Sequence, residues 1–320
     1  MTEGEMTPDA SDVGVVVVTY NALPDIERCL ESLRGYDVVV VDHGSTDGTV
    51  ELVRERFPGL RLVVAPNRGL AAGWNRGLLE LPNRRYYLIL NADTWVDEDT
   101  VERLTEFADA HPEAAVVGPR ISNPDGTLQR SIRRFPTPWD LVTEYLFLRR
   151  ATGGRIVFFG SSAGAGLDHN RIQEADWVEG AAMLIRGEAI DDAGNADETF
   201  FLFSEEVDWC HRFRLAGWKT MFYPGAHVTH VGEASHGGRM VQEIARSNLL
   251  YMAKYRGNRA AEISRHVMAA GVAIRALLYR GPKKRANWLA FRWLRSGSAS
   301  ELVTDARDSA RSRSSQVVSE

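Results

Sequence analysis

Cysteine is almost absent from this chain. Cys29 and Cys210 are the two in 320 residues, far apart and without CxxC spacing. That pattern excludes a disulfide-stapled secreted fold and a sequence-encoded zinc knuckle, and it suits a reducing cytosol. No apolar run approaches the roughly eighteen residues that a membrane-spanning helix needs; the longest late one covers only residues 267–274. The opening residues MTEGEMTPDASD are polar and acidic, which reads as a disordered arm rather than a secretory leader. Neither GxGxxG nor GxxxxGK[ST] occurs, so the fingerprints of dinucleotide dehydrogenases and P-loop enzymes are missing. A net charge of −5 gives no whole-protein attraction to nucleic acid, and no nucleic-acid partner is expected.

What is present is an alternation. Residues 13–19 are a continuous β-branched run, as expected of a strand buried on both faces. A helix opened by Pro24 and a second strand at 37–41 follow. Thr46 is placed to cap a helix through residue 57, with Asp47 in its first turn. Strands at 61–65, 86–90 and 114–117 then alternate with helices at 70–80 and from about Asp99 to Ala110. This spacing predicts an α/β fold with a doubly wound, mostly parallel, Rossmann-like sheet. In such sheets ligands bind beyond the carboxyl ends of the strands.

The pattern loosens between residues 120 and 175, around one short helix near Trp139. It resumes as a strand at 177–186, a helix at 205–216 stopped by Gly217, and a strand at 219–223 followed by a turn carrying His227 and His230. Residues 254–295 hold eleven Lys/Arg against the single acid Glu262, with Trp288, Phe291 and Trp293 interleaved. Two readings of that stretch stand: a peripheral foot on anionic lipid, or a helix packing its aromatics against the rest of the chain. After Ser296 the composition is Ser-, Arg- and Asp-rich, which suits disorder.

Several constellations can carry chemistry. Asn91-Ala92-Asp93 ends a buried strand, where a carboxylate can offer oxygen to Mg²⁺ or Mn²⁺, or simply cap the next segment. His230 can complete such a site or pack as an ordinary histidine. Glu205, Glu206 and Asp208 open a helix, where acids are favoured anyway and where one of them could act as a general base. The turn Asp42-His43-Gly44-Ser45-Thr46-Asp47 could read a pyrimidine edge or be a capped turn. Asn67-Arg68-Gly69 and Asn75-Arg76-Gly77 bracket the third helix, and a guanidinium at a helix N-terminus suits a diphosphate.

In this order the stretches VVVVTYNALPDIERCLESL, VVVVDHGSTDGT, NRGLAAGWNRG, YYLILNADTWV, WVEGAAMLIRGEAI, DETFFLFSEEVDWCHRFRLAGW and MFYPGAHVTHVGEAS resemble glycosyltransferase family 2, whose catalytic domain has the GT-A fold. The resemblance implies that Thr19, Asn21 and Asp42 hold the nucleotide base and ribose. Asn67, Arg68 and Asn91 would lie along the donor. Asp93 would be the metal carboxylate of a DXD-type motif, completed by His230. Glu206 falls at the base position, with Glu205 as the fallback, and Trp177, Glu179 and Gly180 would line the acceptor side. Asn91 replaces the first Asp of a full DXD, and Glu206 is one methylene longer than the usual Asp.

The NAD motif and the RRFPTP segment resemble the bacterial rhamnosyltransferase branch. They imply an inverting transfer from dTDP-L-rhamnose to a glycan or lipid-linked hydroxyl in cell-wall or surface polysaccharide synthesis, with a divalent cation as cofactor. The location implied is the cytoplasm, at the inner face of the cell membrane. A nucleotidyltransferase making nucleotide-sugars and an inactive sugar-nucleotide binding module are the alternatives. The expected organisation is an arm at 1–12, a GT-A domain at 13–236 (nucleotide-sugar half 13–120, acceptor half 121–236), a basic helical extension at 237–295 with its membrane contact at 258–295, and a disordered tail at 296–320.

Overall fold

The computed structural model describes residues 12–146, 166–232 and 240–315. The strands are β1 (Val13–Thr19), β2 (Asp37–Asp42), β3 (Arg61–Val64), β4 (Tyr86–Asn91), β5 (Thr94–Val96), β6 (Ala114–Ser122), β7 (Leu128–Gln129), β8 (Ile132–Arg133), β9 (Gln173–Ala175), β10 (Trp177–Val178), β11 (Ala182–Arg186) and β12 (Lys219–His230). The helices are α1 (Ile26–Glu31), α2 (Thr49–Arg56), α3 (Leu70–Glu80), α4 (Thr100–Ala110), α5 (Pro138–Tyr145), α6 (Gly187–Ala193), α7 (Glu205–Leu215), α8 (Met240–Leu278), α9 (Gly281–Leu294) and α10 (Ala299–Ser315). The described residues divide into two compact units. The first takes 12–132, 167–196 and 209–232; the second takes 133–146, 166, 197–208 and 240–315.

The first unit is built on one sheet in the order β3-β2-β1-β4-β11-β6-β12-β5. Its β3-β2-β1-β4 part is parallel throughout. β11 runs antiparallel to both β4 and β6, and β12 returns parallel to β6. The expected doubly wound, mostly parallel sheet is therefore present, with antiparallel insertions in its second half. Val15, Val17, Val40, Leu88 and Leu184 are fully buried in its core, each contributing about 1.5–3 kcal/mol relative to exposure. Helix α3 lies directly on β1 because Gly73 and Gly77, four residues apart, face the sheet. A Cβ on Gly77 would stand 2.2 Å from Val16 Cγ1, and one on Gly73 would stand 2.7 Å from Val18 Cγ1.

Four local expectations change. Helix α2 begins at Thr49, not at a Thr46 cap: Gly48 sits at the cap position, and Asp47 Oδ1 accepts from Thr49 N at 3.0 Å. The strand expected at 177–186 is broken into β10 and β11, because Glu179 N donates to Ser131 O at 2.8 Å instead of continuing the ladder. His227 and His230 lie on β12 rather than in a turn. That strand passes through Pro224-Gly225 by a register shift between Tyr223 and His227, a bulge of the kind that lets proline and glycine sit within a strand. Gly225 is required there, since a Cβ would stand 2.4 Å from Cζ of the Tyr223 ring.

The fourth change lies in the second unit, which is helical. Residues 299–315, expected to be disordered, form α10 and bury Ala299, Leu302, Val303, Ala306 and Ala310. Residues 1–11 and 316–320, also expected to lack order, fall outside the described residues. Helix α8 is broken at Gly257, whose φ is 83°. A capping box between Thr137 and Asp140 starts α5, and Gly271 lets α8 approach it, since a Cβ there would lie 2.6 Å from Tyr145 O. Arg265 ties α8 to the end of α9 by donating to Leu294 O at 2.6 Å. Glu262 holds the start of α10 by accepting from Ala299 N at 2.8 Å.

Candidate active site

The carboxyl ends of the parallel strands bring the expected nucleotide-binding residues together. The register sets Thr19 beside Asp42, and Val18 beside Asn91. Asp42 is fully buried, and its carboxylate is committed to its own loop. Oδ1 accepts from Gly44 N at 2.9 Å and Ser45 N at 2.8 Å, while Oδ2 accepts from Ser45 Oγ at 2.5 Å. Asn21, at φ 53°, joins this loop to the one after β1. Its N–H donates to Ser45 Oγ at 2.8 Å, and its Oδ1 accepts from Thr46 N at 2.8 Å. Asp47 Oδ2 adds a third link by accepting from Leu23 N at 3.0 Å. Asn21 and Asp42 thus shape the loops from within. Thr19 Oγ1 is buried with no hydrogen-bond partner among the described residues, the condition in which a polar atom is completed by a ligand.

His43 is held below its usual pKa by burial; Asp42 opposes this, and the positive charge of Arg68 adds to it. Arg68 therefore lies close enough for its charge to act on the Asp42–Asp47 turn. Asn67 Oδ1 accepts from Gly69 N at 3.1 Å, shaping the entry to α3. At the other end of that bracket the side chains are structural. Asn75 ties its amide to Ala196, donating to O at 2.9 Å and accepting from N at 3.0 Å. Arg76 pairs with Glu80 at 2.6 Å.

Asp93 and His230 meet just beyond the carboxyl end of β4, where β5 pairs with β12. Nε2 of His230 lies 3.4 Å from Oδ1 of Asp93, and Val231 N donates to Asp93 O at 3.0 Å. Burial opposes ionisation of Asp93, but His230 and the Gly232 N–H hold its carboxyl below the ordinary aspartate range. Gln129, on the β6–β7 hairpin, fixes the imidazole. Its Nε2 donates to His230 O at 2.7 Å and to Asn123 Oδ1 at 2.6 Å, which leaves Oε1 to accept from His230 Nδ1 at 2.9 Å. With Nδ1 carrying that proton, the Nε2 of a neutral imidazole presents a lone pair to a carboxylate oxygen.

In that neutral form the two facing acceptors would take a cation between them, whereas an imidazolium would donate to Asp93 directly. Two ligands bound at about 2.1 Å to one ion stand about 3–3.4 Å apart, so the pair has the spacing of a shared divalent cation. No group of three or more His, Cys, Asp or Glu side chains that could hold a metal ion occurs among the described residues.

Sequence reasoning did not single out Gln129 or Asp25. Gln129 follows an Asn-Pro-Asp-Gly turn and carries no motif of its own. Asp25 reads only as the start of α1, yet burial and the charge of Asp93 push its carboxyl above the usual range, which places a second acid in the field of the site. Trp177 is buried, and Glu179 and Gly180 are half-buried in the break between β10 and β11.

Glu205 and Glu206 belong to the second unit. Phe203 and Ser204 lead into α7 with φ values of 68° and 66°, two successive left-handed residues of the kind that costs about 1–3 kcal/mol each and gathers at functional sites. Glu205 is buried, and its Oε2 has no hydrogen-bond partner among the described residues. Burial first, and Glu206 next, raise its carboxyl well above the ordinary range. Glu206 is half-buried. Helix α8 holds this segment: Ser247 Oγ donates to Leu202 O at 2.8 Å, Tyr255 OH donates to Asp208 Oδ1 at 2.8 Å, and Lys254 bridges Asp197 and Asp208.

A family model described as Glycosyl transferase family 2 matches residues 14–170. The N-acetylglucosaminyl-diphospho-decaprenol L-rhamnosyltransferase of Mycobacterium tuberculosis is 28% identical over 256 residues, covering 72% of this chain and 80% of its own. Among solved structures, the mannosyltransferase PcManGT from Pyrobaculum calidifontis in complex with GDP-Man and Mn²⁺ matches 98% of this chain and 90% of its own, with a TM-score of 0.51 and 18% identity. GalNAc-T7 with UDP, GalNAc and Mn²⁺ matches 92% of this chain and 58% of its own, with a TM-score of 0.57 and 14% identity.

Proposed function

We propose that this chain is a member of glycosyltransferase family 2, whose model its residues 14–170 match, and that it moves L-rhamnose from dTDP-L-rhamnose, with inversion, to a hydroxyl of a lipid-linked glycan in cell-wall or surface polysaccharide synthesis. The observation that carries the reading is the Asp93–His230 pair, 3.4 Å apart, with Gln129 directing the imidazole. The named activity of the M. tuberculosis relative supports the choice of sugar and of a lipid-linked acceptor. The nucleotide sugar and Mn²⁺ bound in the structurally similar mannosyltransferase support the donor class and the cation.

Asp93 and His230 would hold a divalent cation, Mg²⁺ or Mn²⁺, beside Asn91, and the ion would supply positive charge to the diphosphate. Thr19 and the loops shaped by Asn21 and Asp42 receive the base and ribose. Arg68, with Asn67 beside it, adds a second positive charge where the leaving group gathers negative charge. Glu206 takes the proton of the acceptor hydroxyl. The freed oxygen bonds to the anomeric carbon from the face opposite the diphosphate, whose C–O bond breaks with the electron pair leaving on the phosphate. Glu205, whose carboxyl is held above the ordinary range by burial and by Glu206, precedes it, and Trp177, Glu179 and Gly180 line the acceptor. A nucleotidyltransferase is disfavoured, since Gly14 lies within β1 against Arg84 and Leu81 and forms no triphosphate loop.

The test is thermal stabilisation by dTDP, UDP, GDP and CDP, each with and without Mn²⁺ or Mg²⁺. Metal-dependent stabilisation by dTDP above the others is expected. A response to none of them would overturn the reading in favour of an inactive module.

A further inference from the structure

The acceptor proposed above sits on a lipid, and the structure offers a surface to meet one. The interleaved aromatics of the basic stretch are engaged in packing. Trp288 and Phe291 stand edge to face at 5.3 Å, and Arg246 lies 5.6 Å over the Trp293 ring. The exposed apolar surface lies elsewhere, at the corner where α8 ends and α9 begins. Ile274, Leu277 and Leu278, spaced i, i+3 and i+4 on the last turn of α8, share one face. They are 39%, 73% and 68% exposed. Leu and Ile scattered singly on a surface need no explanation, but a clustered face does.

Along the chain, charge on either side of that face has one sign; across from it, Arg275 donates to O of Glu144 on α5 at 3.1 Å. From Ile263 to Ser300 the chain carries eight Lys/Arg and no Asp or Glu, although the whole protein has a net charge of −5. Every residue from Leu277 to Arg285 is exposed. Arg280, Lys283, Lys284 and Arg285 have no acidic partner among the described residues, whereas the flanking acids are engaged: Glu262 with Arg265 and Glu301 with Ser298. The first turn of α9 has no acid and two cations, Lys283 and Lys284, with Arg285 just after them, the arrangement that the helix dipole disfavours. Local helix stability therefore does not account for them.

We propose that this corner, Ile274–Arg285, docks on an anionic lipid bilayer, with Ile274, Leu277 and Leu278 entering the headgroup boundary and Arg280, Lys283, Lys284 and Arg285 meeting lipid phosphates. Aliphatic side chains beside unpaired cations match the two layers of an anionic membrane surface, apolar within and negative outside. No helix among the described residues is long and apolar enough to cross a membrane; the contact is a surface one. The proposal deepens the reading of a lipid-linked acceptor by naming where the lipid is met.

The experiment is co-sedimentation of the full chain with vesicles of phosphatidylcholine alone and of equal phosphatidylglycerol and phosphatidylcholine, at low and high salt. Binding to the anionic vesicles, weakened by salt, is expected. Each basic residue near such a surface is worth about fivefold in affinity, so Lys283→Ala/Lys284→Ala/Arg285→Ala should bind about a hundredfold more weakly. Leu277→Asp/Leu278→Asp should also release the protein. All five positions are exposed, so unfolding midpoints should match the parent.

Unchanged binding in both variants, or equal binding to neutral vesicles, would overturn the proposal. So would a self-association of the parent, without vesicle binding, that either variant abolishes, since this would assign the face to a second copy. Stabilisation by dTDP is measured on the same samples. Its presence without vesicle binding rejects only the surface, and its absence with vesicle binding rejects only the catalytic reading.

Discussion

Nζ of Lys254 lies 2.7 Å from Oδ1 of Asp208 and 2.7 Å from Oδ2 of Asp197. One cation thus closes both ends of the segment that carries the left-handed Phe203–Ser204 step and the two glutamates. Asp208 is fully buried, so its charge has little water to fall back on. Burial opposes ionisation of Asp197, but the bonds from Lys254 and Thr199 hold its carboxyl below the ordinary range.

Lys254→Met is expected to destabilise the protein by about 3–5 kcal/mol, because it removes the cation paired with the buried Asp208 carboxylate. Urea denaturation checks this, and Lys254→Met/Asp208→Asn should recover part of the loss. Coincident unfolding curves for the parent and Lys254→Met would show that the bridge contributes nothing.

The raised Glu205 carboxyl has a definite sign in stability. A folded-state pKa above the unfolded value means that the native state binds the proton more tightly, so stability falls as pH rises from the ordinary glutamate range through the folded-state value. Glu205→Gln, which resembles the protonated form, should raise Tm at pH 8 by about 2–4 °C for each kcal/mol released. It should have no such effect near pH 4. A gain of equal size at both pH values would point to packing rather than ionisation.

For catalysis the two carboxylates should separate. Glu206→Gln is expected to keep stabilisation by dTDP while transfer falls by about 10²–10⁴-fold, the usual contribution of a general base. Should Glu205→Gln lose transfer and Glu206→Gln keep it, the roles are exchanged.

Gln129 touches no proposed substrate, yet it directs the imidazole. Gln129→Leu should weaken Mn²⁺ affinity by about 10–100-fold, the effect typical of groups that orient a metal-binding histidine. Titration of Mn²⁺ by its paramagnetic effect on water relaxation reads this directly. Affinity equal to the parent would remove Gln129 from the site, and loss of binding in Asp93→Ala should accompany the expected result.

Gly187 opens α6 with its N–H on Arg85 O at 2.9 Å, and a Cβ there would lie 2.3 Å from Arg84 O. Backbone cannot swing aside as a side chain can. Gly187→Ala is expected to cost about 1–3 kcal/mol, as overpacking does, read as a lower unfolding midpoint.

The β-branched runs of β1 and β2 are legible because a strand buried on both faces needs no alternation, and α3 because Gly69 and an apolar stripe mark its start and face. β12 is not legible past Tyr223: Pro224-Gly225 carries the local signal of a turn, and only pairing with β6 makes it a bulge. In α10 the spacing of Ala299, Leu302, Val303, Ala306 and Ala310 is helical, but Ser and Arg dominate the composition around it. Among the candidate site residues, Asp93 and His230 stand out by residue type, and their separation of 137 positions is bridged only by the sheet. Asp42 bonds to Gly44 and Ser45 of its own turn, a local pattern, whereas nothing local could show the bonds of Asn21, which depend on two loops arriving side by side.

Gly257 divides α8 into two lengths with different obligations. Ser247, Lys254 and Tyr255, which grip the glutamate segment, all precede it, while the corner of aliphatic and basic side chains lies about twenty residues beyond. Substitutions in that corner can therefore accumulate without disturbing the residues that fix the glutamates. The break is a seam: the residues that grip the glutamates lie on one side of it, and the corner proposed to meet lipid lies on the other.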